Sequence, residues 1–228
     1  MLSVLMPVYN EAATVERAVS ELLAAELGTE FELIVVDDGS TDGTRELLEA
    51  KPWPDRVRLL RHDRNRGKGA AVRTGLAEAR GEFTTIFDAD LEYEPADIAT
   101  LLPPLQDGRA NAVFGVRAFD GYTSHSFLYV LGNKLVTFTA NALFNVYLRD
   151  LMTCHKAIRT EVLRDLPLKE PGFGVEPEIA ARLLQRGERI FEVPVSYRAR
   201  SDEEGKKLTA VDGLRVIRTL VRCRITQP

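Results

Sequence analysis

Short apolar runs and segments with helical spacing alternate along the first half of the chain. The apolar runs have the length of strands and lie at residues 2–6, 32–36, 57–60, 83–87 and 111–116. The segments with helical spacing lie between them, at residues 12–26, 42–50, 67–80 and 95–106. Such alternation is typical of α/β proteins, in which helices cover both faces of a mostly parallel sheet. The pattern therefore predicts an α/β, Rossmann-like fold.

The regular alternation of predicted strands and helices ends after residue 120. The pattern there predicts a long helix, a short strand, a helix, a strand and a terminal helix, at residues 125–147, 153–159, 175–186, 189–195 and 209–222. No internal repeat, low-complexity tract or long linker divides the 228 residues, so we expect one domain over 1–228. In this architecture the first half (1–118) usually binds the nucleotide, and the second half (119–228) would then bind the other substrate.

Composition, net charge and cysteine content indicate the class of protein and its cellular environment. Hydrophobic residues make up 45% and charged residues 28%, which is ordinary for a soluble globular chain. The net charge of −4 gives no indication of nucleic-acid binding. Cys154 and Cys223 are far apart and lack metal-ligand spacing, so we expect a reduced, cytoplasmic setting without disulfides. The N-terminus resembles a buried strand and not a signal peptide.

The long helix leaves two interpretations open. Lys134 interrupts its apolar sequence, and the uncharged part that follows, residues 135–148, is too short to span a membrane. Its polar residues form a single stripe made of Lys134, Thr137, Asn141 and Asn145. The helix is either a core helix with a narrow wet edge or a helix lying in a membrane interface.

The C-terminal segment is basic. Residues 206–228 carry six basic side chains and one acid, a net +5, which leaves −9 for the rest of a chain whose total is −4. Arg215, Arg218 and Arg222 share one helical face, beside an apolar face. The helix can rest on an anionic membrane, or it can pack on the core with solvated arginines.

Two carboxylates, Asp88 and Asp90, follow the apolar run at 83–87 directly. Positions i and i+2 of a strand face the same way, so the two side chains can converge at its carboxyl end. Paired oxygen ligands suit Mg²⁺ or Mn²⁺, which usually also bind substrate phosphates. The alternative is a simple turn, but a second acidic pair, Asp37 and Asp38, ends an earlier apolar run and favours a site.

Four motifs would lie along one edge of the sheet. They are PVYNE at 7–11, DDGSTDG at 37–43, NRGKGAA at 65–71 and DAD at 88–90. Together they resemble the family 2 glycosyltransferases of the GT-A fold, and the resemblance covers nearly the whole chain.

Motifs in the second half of the chain resemble those of one branch of this family. They are DLMTCHKAIR at 150–159, GFGVEPE at 172–178, EVPVSY at 192–197, and Arg200 followed by EGKKL at 204–208. They look like the branch that transfers hexoses to polyprenyl phosphates, which includes dolichol-phosphate mannose and glucose synthases. The Gln-x-x-Arg-Trp motif of processive polysaccharide synthases is absent, because the only tryptophan is Trp53.

The resemblance implies roles on the donor side. The nucleotide base and ribose would be bound by Pro7, Tyr9, Glu11 and Asp38. Asp88, Ala89 and Asp90 would bind the donor, with the metal on its diphosphate held by Asp88, Asp90 and Glu92. Lys68 lies before a glycine at a helix start, where it can meet phosphate or simply be solvated at the surface.

The resemblance also implies roles around the acceptor. Asp90, Arg117 and Arg200 would be catalytic, with Arg117 meeting the acceptor phosphate. Arg200, Lys206 and Lys207 would close over the diphosphate as part of a mobile lid. Lys134 is the nearest candidate for an acceptor-binding cation, and Glu178 would line the site. If the acceptor were a hydroxyl group, a general base would be needed, and the candidates are Asp150, Glu176 and Glu178.

The expected function is inverting, metal-dependent transfer of mannose or glucose from GDP-mannose or UDP-glucose to a polyprenyl phosphate. The expected location is peripheral, on the cytoplasmic face of a membrane. One alternative is a glycosyltransferase that acts on a sugar or small-molecule hydroxyl. Another is an inactive nucleotide-sugar-binding partner subunit. A nucleotidyltransferase is disfavoured, because residues 8–13 lack the glycine-rich loop such enzymes usually carry after the first strand.

Overall fold

The computed structural model describes residues 1–117, 127–198 and 210–226. In this part of the chain the strands are β1 (Leu2–Val8), β2 (Phe31–Asp37), β3 (Val57–Arg61), β4 (Phe83–Ile86), β5 (Ala112–Arg117), β6 (Lys156–Arg159) and β7 (Ile190–Val195). The helices are α1 (Val15–Ala24), α2 (Thr44–Ala50), α3 (Lys68–Glu78), α4 (Ile98–Leu101), α5 (Pro103–Gln106), α6 (Phe127–Phe144), α7 (Thr160–Arg164), α8 (Val175–Gln185) and α9 (Ala210–Ile225).

The strands form one sheet in the order β3-β2-β1-β4-β6-β5-β7. Strand β6 is antiparallel to both β4 and β5, and the other neighbouring pairs are parallel. The prediction of a mostly parallel sheet in an α/β fold is therefore confirmed. The chain moves outwards from β1 to β3 and then returns to place β4 on the other side of β1. Open α/β sheets bind ligands at such a reversal, beyond the carboxyl ends of the strands.

Each face of the sheet has its own hydrophobic core, as the alternation of side chains along a strand requires. Leu5, Ile34 and Val36 face α3, α6, α8 and α9, whereas Val4 and Met6 face the layer that contains α1. Helix α3 packs closely on the first face because it is rich in glycine and alanine. At Gly75, a β-carbon would lie only 3.2 Å from the Leu5 side chain.

Two predicted helices differ from those observed. The segment 95–106 is divided into a 3₁₀ turn (Pro95–Asp97) and the short helices α4 and α5, because prolines lack the amide hydrogen that would continue the hydrogen bonds of a single helix. The long helix ends at Phe144, where Asn145 takes a left-handed backbone with φ of 53°. None of the helices in the described part of the chain has the length and apolar content needed to cross a bilayer. The division into nucleotide and acceptor halves stays a prediction.

Candidate active site

A cavity of about 350 Å³ lies at the reversal between β1 and β4. Eleven residues proposed from the sequence line it: Pro7, Tyr9, Glu11, Asp38, Lys68, Asp88, Ala89, Asp90, Glu92, Arg117 and the candidate base Glu176. They come from the carboxyl ends of β1, β2, β4 and β5 and from the starts of α3 and α8. Their convergence follows from topology, because parallel strands all end at the same edge of a sheet.

Asp38 organises the loop that precedes α3. Its carboxylate accepts hydrogen bonds from the backbone amides of Arg66 (2.9 Å) and Gly67 (2.7 Å), and it lies 2.6 Å from Nδ1 of His62. The turn and capping chemistry of this motif is supplied by its neighbours, since Asp37 accepts from the Ser40 amide and Asp42 from the Thr44 amide. Asp38 therefore shapes the wall of the cavity as well as lining it.

Lys68 lies in an acidic cluster inside the cavity and is not solvated at the surface. Its Nζ atom lies 2.6 Å from Oδ2 of Asp88 and 2.5 Å from Oε1 of Glu176, and its side chain is 10% exposed. Burial by itself would lower the pKa of Lys68, but the charges of the two carboxylates outweigh it and hold that pKa well above its usual value. Lys68 therefore stays positively charged.

Cys154 completes this cluster. Its thiol donates to Oδ2 of Asp88 at 2.8 Å. Burial, together with the charge of Asp88, raises the pKa of the Cys154 thiol well above its usual value. The thiol therefore stays protonated and acts as a hydrogen-bond donor rather than as a nucleophile.

The loop after Asp88 is strained and is bonded to the segment that follows β7. Leu91 has a φ of 60°, a left-handed conformation that is unfavourable for a bulky residue and is typical of functional loops. The Glu92 amide donates to Oδ1 of Asp90 at 3.1 Å, and the Tyr197 hydroxyl donates to the Glu92 carboxylate at 3.0 Å. These contacts hold two predicted metal ligands at the mouth of the cavity.

Arg117 forms a buried bidentate ion pair with Asp150. Its Nε atom donates to Oδ2 at 2.6 Å and its second terminal nitrogen to Oδ1 at 2.9 Å. The guanidinium also lies 4.9 Å from the ring centroid of Tyr197. Burial would raise the pKa of Asp150, but the Arg117 charge outweighs it, so this pKa lies below its usual value. Asp150 is therefore a weak base that orients Arg117.

Other predicted residues lie elsewhere. Glu178 is fully buried, and its carboxylate accepts from the backbone amides of Lys169 and Glu170 at 2.8 and 2.7 Å. Lys134 is exposed on α6. The remaining cations of the predicted lid, Arg200, Lys206 and Lys207, lie outside the described residues. The roles assigned to all site residues stay predictions.

The cavity contains several residues to which sequence reasoning assigned no role. They include Asn65, Tyr93, Met152, Cys154, Phe173 and Tyr197. Most of them belong to segments whose motifs carried the family resemblance, which was the only available signal. Beside them, His155 is fully buried and stacks on Tyr93 with ring centroids 4.4 Å apart. Burial lowers the pKa of His155 to about 3, so its imidazole stays neutral.

The residues present fit a hard divalent cation. Asp88, Asp90 and Glu92 all line the cavity and offer carboxylate oxygens, the donors that Mg²⁺ and Mn²⁺ prefer. One ligand atom each from Asp88, Cys154 and Glu176 also lies within 4.8 Å of the others. In this second group the protonated thiol and the ammonium of Lys68 favour an internal ion pair. The carboxylates of the D-x-D loop are therefore the better candidates.

Comparison with known proteins identifies the family. Residues 3–166 match Glycosyl transferase family 2. Glycosyltransferase AglJ of Haloferax volcanii is 30% identical over 210 residues, which are 91% of this chain and 66% of that protein. Dolichol-phosphate mannosyltransferase of Pyrococcus furiosus is 29% identical over 229 residues, which are 97% of this chain and 64% of that protein. The chain thus spans about two thirds of the length of these two relatives.

Solved structures share the fold. Glucosyl-3-phosphoglycerate synthase of Mycobacterium tuberculosis, with Mn²⁺, UDP and phosphoglyceric acid, superposes with a TM-score of 0.76 at 24% identity. The match covers 100% of this chain and 79% of that one. A complex of the same enzyme with Mn²⁺, UDP-glucose and phosphoglyceric acid has a TM-score of 0.74 at 26% identity and covers 98% and 79% of the two chains. The predicted GT-A fold and divalent-metal use in the family agree with these neighbours.

The motifs, the fold and these relatives confirm the predicted family and the interpretation as an enzyme, rather than as an inactive subunit. The chain belongs to glycosyl transferase family 2, is a glycosyltransferase that uses a nucleotide sugar, and has relatives in the polyprenyl-phosphate branch.

Proposed function

We propose that this enzyme transfers mannose or glucose, with inversion and with Mg²⁺ or Mn²⁺, from a nucleotide sugar to a polyprenyl phosphate. One observation carries the choice of acceptor. Each acid considered as a general base is bonded to a cation: Asp150 to Arg117, Glu176 to Lys68 and Glu178 to Arg222. A hydroxyl acceptor needs a base, whereas a phosphate acceptor does not.

The acceptor phosphate is already ionised at neutral pH. A phosphate monoester has its second pKa near ~6, so most of it is dianionic at pH 7. One of its oxygens would attack the anomeric carbon while the bond from that carbon to the donor diphosphate breaks, and the nucleoside diphosphate leaves. The task of the protein is then to reduce the repulsion between two phosphate groups and to align them.

The charges of the cavity suit this task. Arg117 stands at the end of β5 with its guanidinium held by Asp150, so it can meet the acceptor phosphate in a fixed orientation. Asp88, Asp90 and Glu92 would hold the divalent ion, which supplies positive charge to the donor diphosphate. Lys68 lies beside Asp88 and adds a second positive charge on the donor side.

The donor is either GDP-mannose or UDP-glucose. The relative named as a dolichol-phosphate mannosyltransferase favours the first, and the neighbour solved with UDP-glucose favours the second. A polyprenyl acceptor places the enzyme at a membrane surface, and the nucleotide sugar places it on the cytoplasmic face.

A second candidate is transfer to a small-molecule hydroxyl. It is favoured by the structural neighbour whose complexes contain phosphoglyceric acid. Glu176 would be the base in that case, because it lines the cavity, and Lys68 would have to release it.

The test is a transfer assay with Mn²⁺, radiolabelled GDP-mannose or UDP-glucose, and a short polyprenyl phosphate, followed by extraction into organic solvent. Label should enter the organic phase from one donor, should do so with Asp55→Ala, and should not with Asp90→Ala. Asp55 is an exposed aspartate on the loop before β3 and serves as the matched control. Transfer to phosphoglyceric acid, with none to the lipid, would establish the second candidate instead.

A further inference from the structure

The inward side of helix α6 carries both apolar and polar contacts, since Val136 and Ala140 are buried in the core and three polar residues form hydrogen bonds. Asn133 donates to the Asp150 carboxylate at 3.3 Å, and the hydroxyl of Thr137 accepts from the Leu151 amide at 3.2 Å. Asn141 exchanges two hydrogen bonds of 2.8 Å with the backbone of Leu148. Two residues of the polar stripe, Thr137 and Asn141, therefore face inwards and help to hold the turn that carries Asp150, whereas Lys134 and Asn145 are exposed.

The opposite side of α6 carries an exposed apolar ridge. Phe127, Leu131, Leu135 and Phe138 are 75%, 50%, 55% and 68% exposed. Their spacing of four, four and three residues places them on one side of the helix. An ordinary surface helix directs its apolar residues to the core, whereas α6 buries Val136 and Ala140 there and leaves this second set of apolar side chains exposed.

Helix α9 packs beside α6 and carries a second ridge. Leu214, Val221 and Ile225 are 69%, 41% and 77% exposed and follow one another at seven and four residues. The guanidinium of Arg224 lies 5.9 Å from the ring of Phe144, so the carboxyl ends of the two helices are adjacent. We call these two ridges, one on each of the neighbouring helices, the docking face.

The exposed charges of the docking face are positive. Residues 127–144 and 213–225 contain no aspartate or glutamate. Lys134, Arg218 and Arg224 are exposed on the same helices. Arg222, by contrast, turns inwards and binds Glu170 at 2.7 Å and Glu178 at 3.1 Å, so it does not belong to the basic surface expected from the sequence.

The positive charge of the docking face indicates what kind of partner binds to it. A second copy of the chain would bring the exposed cations of one copy against those of the other, and residues 127–144 and 213–225 offer no acid to pair with them. The phosphates of anionic lipids complement the cations, and the acyl region accepts the apolar side chains. We propose that the docking face binds the surface of an anionic lipid bilayer. This inference rests on the proposed lipid acceptor, since it supplies the contact with the membrane in which that acceptor lies.

Hydrogen bonds and ion pairs connect both helices of the docking face to residues around the cavity. Through Asn133, α6 contacts the carboxylate that holds Arg117. Through Arg222, α9 contacts Glu170, whose backbone oxygen accepts from Arg73 of α3 at 2.7 Å. Helix α3 begins at Lys68. A bilayer bound to this face would therefore lie against the elements that position the two cations of the site.

The test is flotation of the full chain with two kinds of vesicle. One contains phosphatidylcholine alone, and the other also contains phosphatidylglycerol at roughly 30 mol%, which supplies the anionic headgroups that attract basic helices. We expect wild type to float with the anionic vesicles at low salt, and less at high salt. Leu135→Glu combined with Phe138→Glu should lower the bound fraction about tenfold or more, because charge is expelled from the apolar region. Leu59→Glu, which changes a 38% exposed side chain on β3, is the matched control and should float as wild type does.

Activity in detergent with a short polyprenyl phosphate separates the two proposals. The double variant should keep wild-type activity there, since neither residue lines the cavity. Transfer without flotation of the wild type, or equal flotation of the double variant, would overturn the docking face alone. A dimer that the double variant dissociates, without vesicle binding, would also overturn it. Vesicle binding that depends on the docking face, without any transfer to lipid, would support the face and remove the proposed acceptor.

Discussion

Replacing Asp150 with asparagine removes one member of a buried ion pair. Arg117 and Asp150 are 5% and 1% exposed, and the carboxylate also accepts from the Asn133 side chain and the Met152 amide. The side-chain amide introduced by Asp150→Asn would carry no charge and would direct its own hydrogens towards a donor. The guanidinium would then remain buried without the carboxylate opposite it.

Breaking a buried ion pair by removing one partner costs about 3–5 kcal/mol. The expected loss in the free energy of unfolding of Asp150→Asn is therefore about 3–5 kcal/mol. Glu82→Gln is the matched control, because Glu82 pairs with Arg159 at the same distance, 2.6 Å, with its side chain 58% exposed. An exposed pair contributes only about 0–1 kcal/mol.

The assay is urea unfolding followed by circular dichroism, with the slope of the transition checked for constancy. Adding Arg117→Met to Asp150→Asn should recover part of the lost stability, because the buried charge is then gone as well. The reasoning would be refuted if Asp150→Asn unfolded within about 1 kcal/mol of wild type, a loss typical of exposed pairs. Additive losses in the double variant would refute it too.

The effect should also depend on pH. The pKa of Asp150 lies below its usual value in the folded chain, so on acidification the unfolded chain takes up this proton first. The stabilisation is fully present above the unfolded pKa of about 3.9 and is lost as pH falls through the folded pKa. The difference between wild type and Asp150→Asn should therefore shrink below a pH of about 4.

Three further experiments test other parts of the structure. Burial lowers the pKa of Lys156 from 10.5 to about 8, so the stability of wild type relative to Lys156→Met should rise with pH across that window, by roughly 3 kcal/mol, in urea titrations of both proteins. Lys68→Met leaves two carboxylates without their shared cation, so it should lower the free energy of unfolding by about 3 kcal/mol or more in urea at neutral pH. The loss should be smaller at a pH of about 4, where carboxylates protonate. An equal loss at both pH values would contradict this. Gly69→Ala places a β-carbon against the Glu170 carbonyl oxygen, so it should lower the free energy of unfolding by about 1–3 kcal/mol and the melting temperature with it. Gly132→Ala in α6 meets nothing within 4 Å, so it should raise the free energy of unfolding by about 0.5–1 kcal/mol and the melting temperature with it.

Local patterns determined the fold class and one wall of the site. Apolar runs alternating with helical spacing predicted the parallel sheet, because each signal lies within a single element. The acids at residues 37–38 and 88–90 follow buried strands directly, and the carboxyl ends of parallel strands meet at one edge of a sheet. Their convergence in the cavity therefore followed once the alternation was recognised. The periodicity of residues 95–106 predicts a single helix, but the prolines at 103 and 104 lack the amide hydrogens that it would need, so the segment is divided.

Tertiary structure decided which partner each charged group found. Lys68 pairs with Glu176, and Arg117 with Asp150, across 108 and 33 residues of chain. Such choices depend on how helices pack on the sheet, and no local spacing encodes them. The orientation of α6 has the same origin. Periodicity shows which residues share a face of a helix, but only packing determines whether that face meets the protein or the solvent.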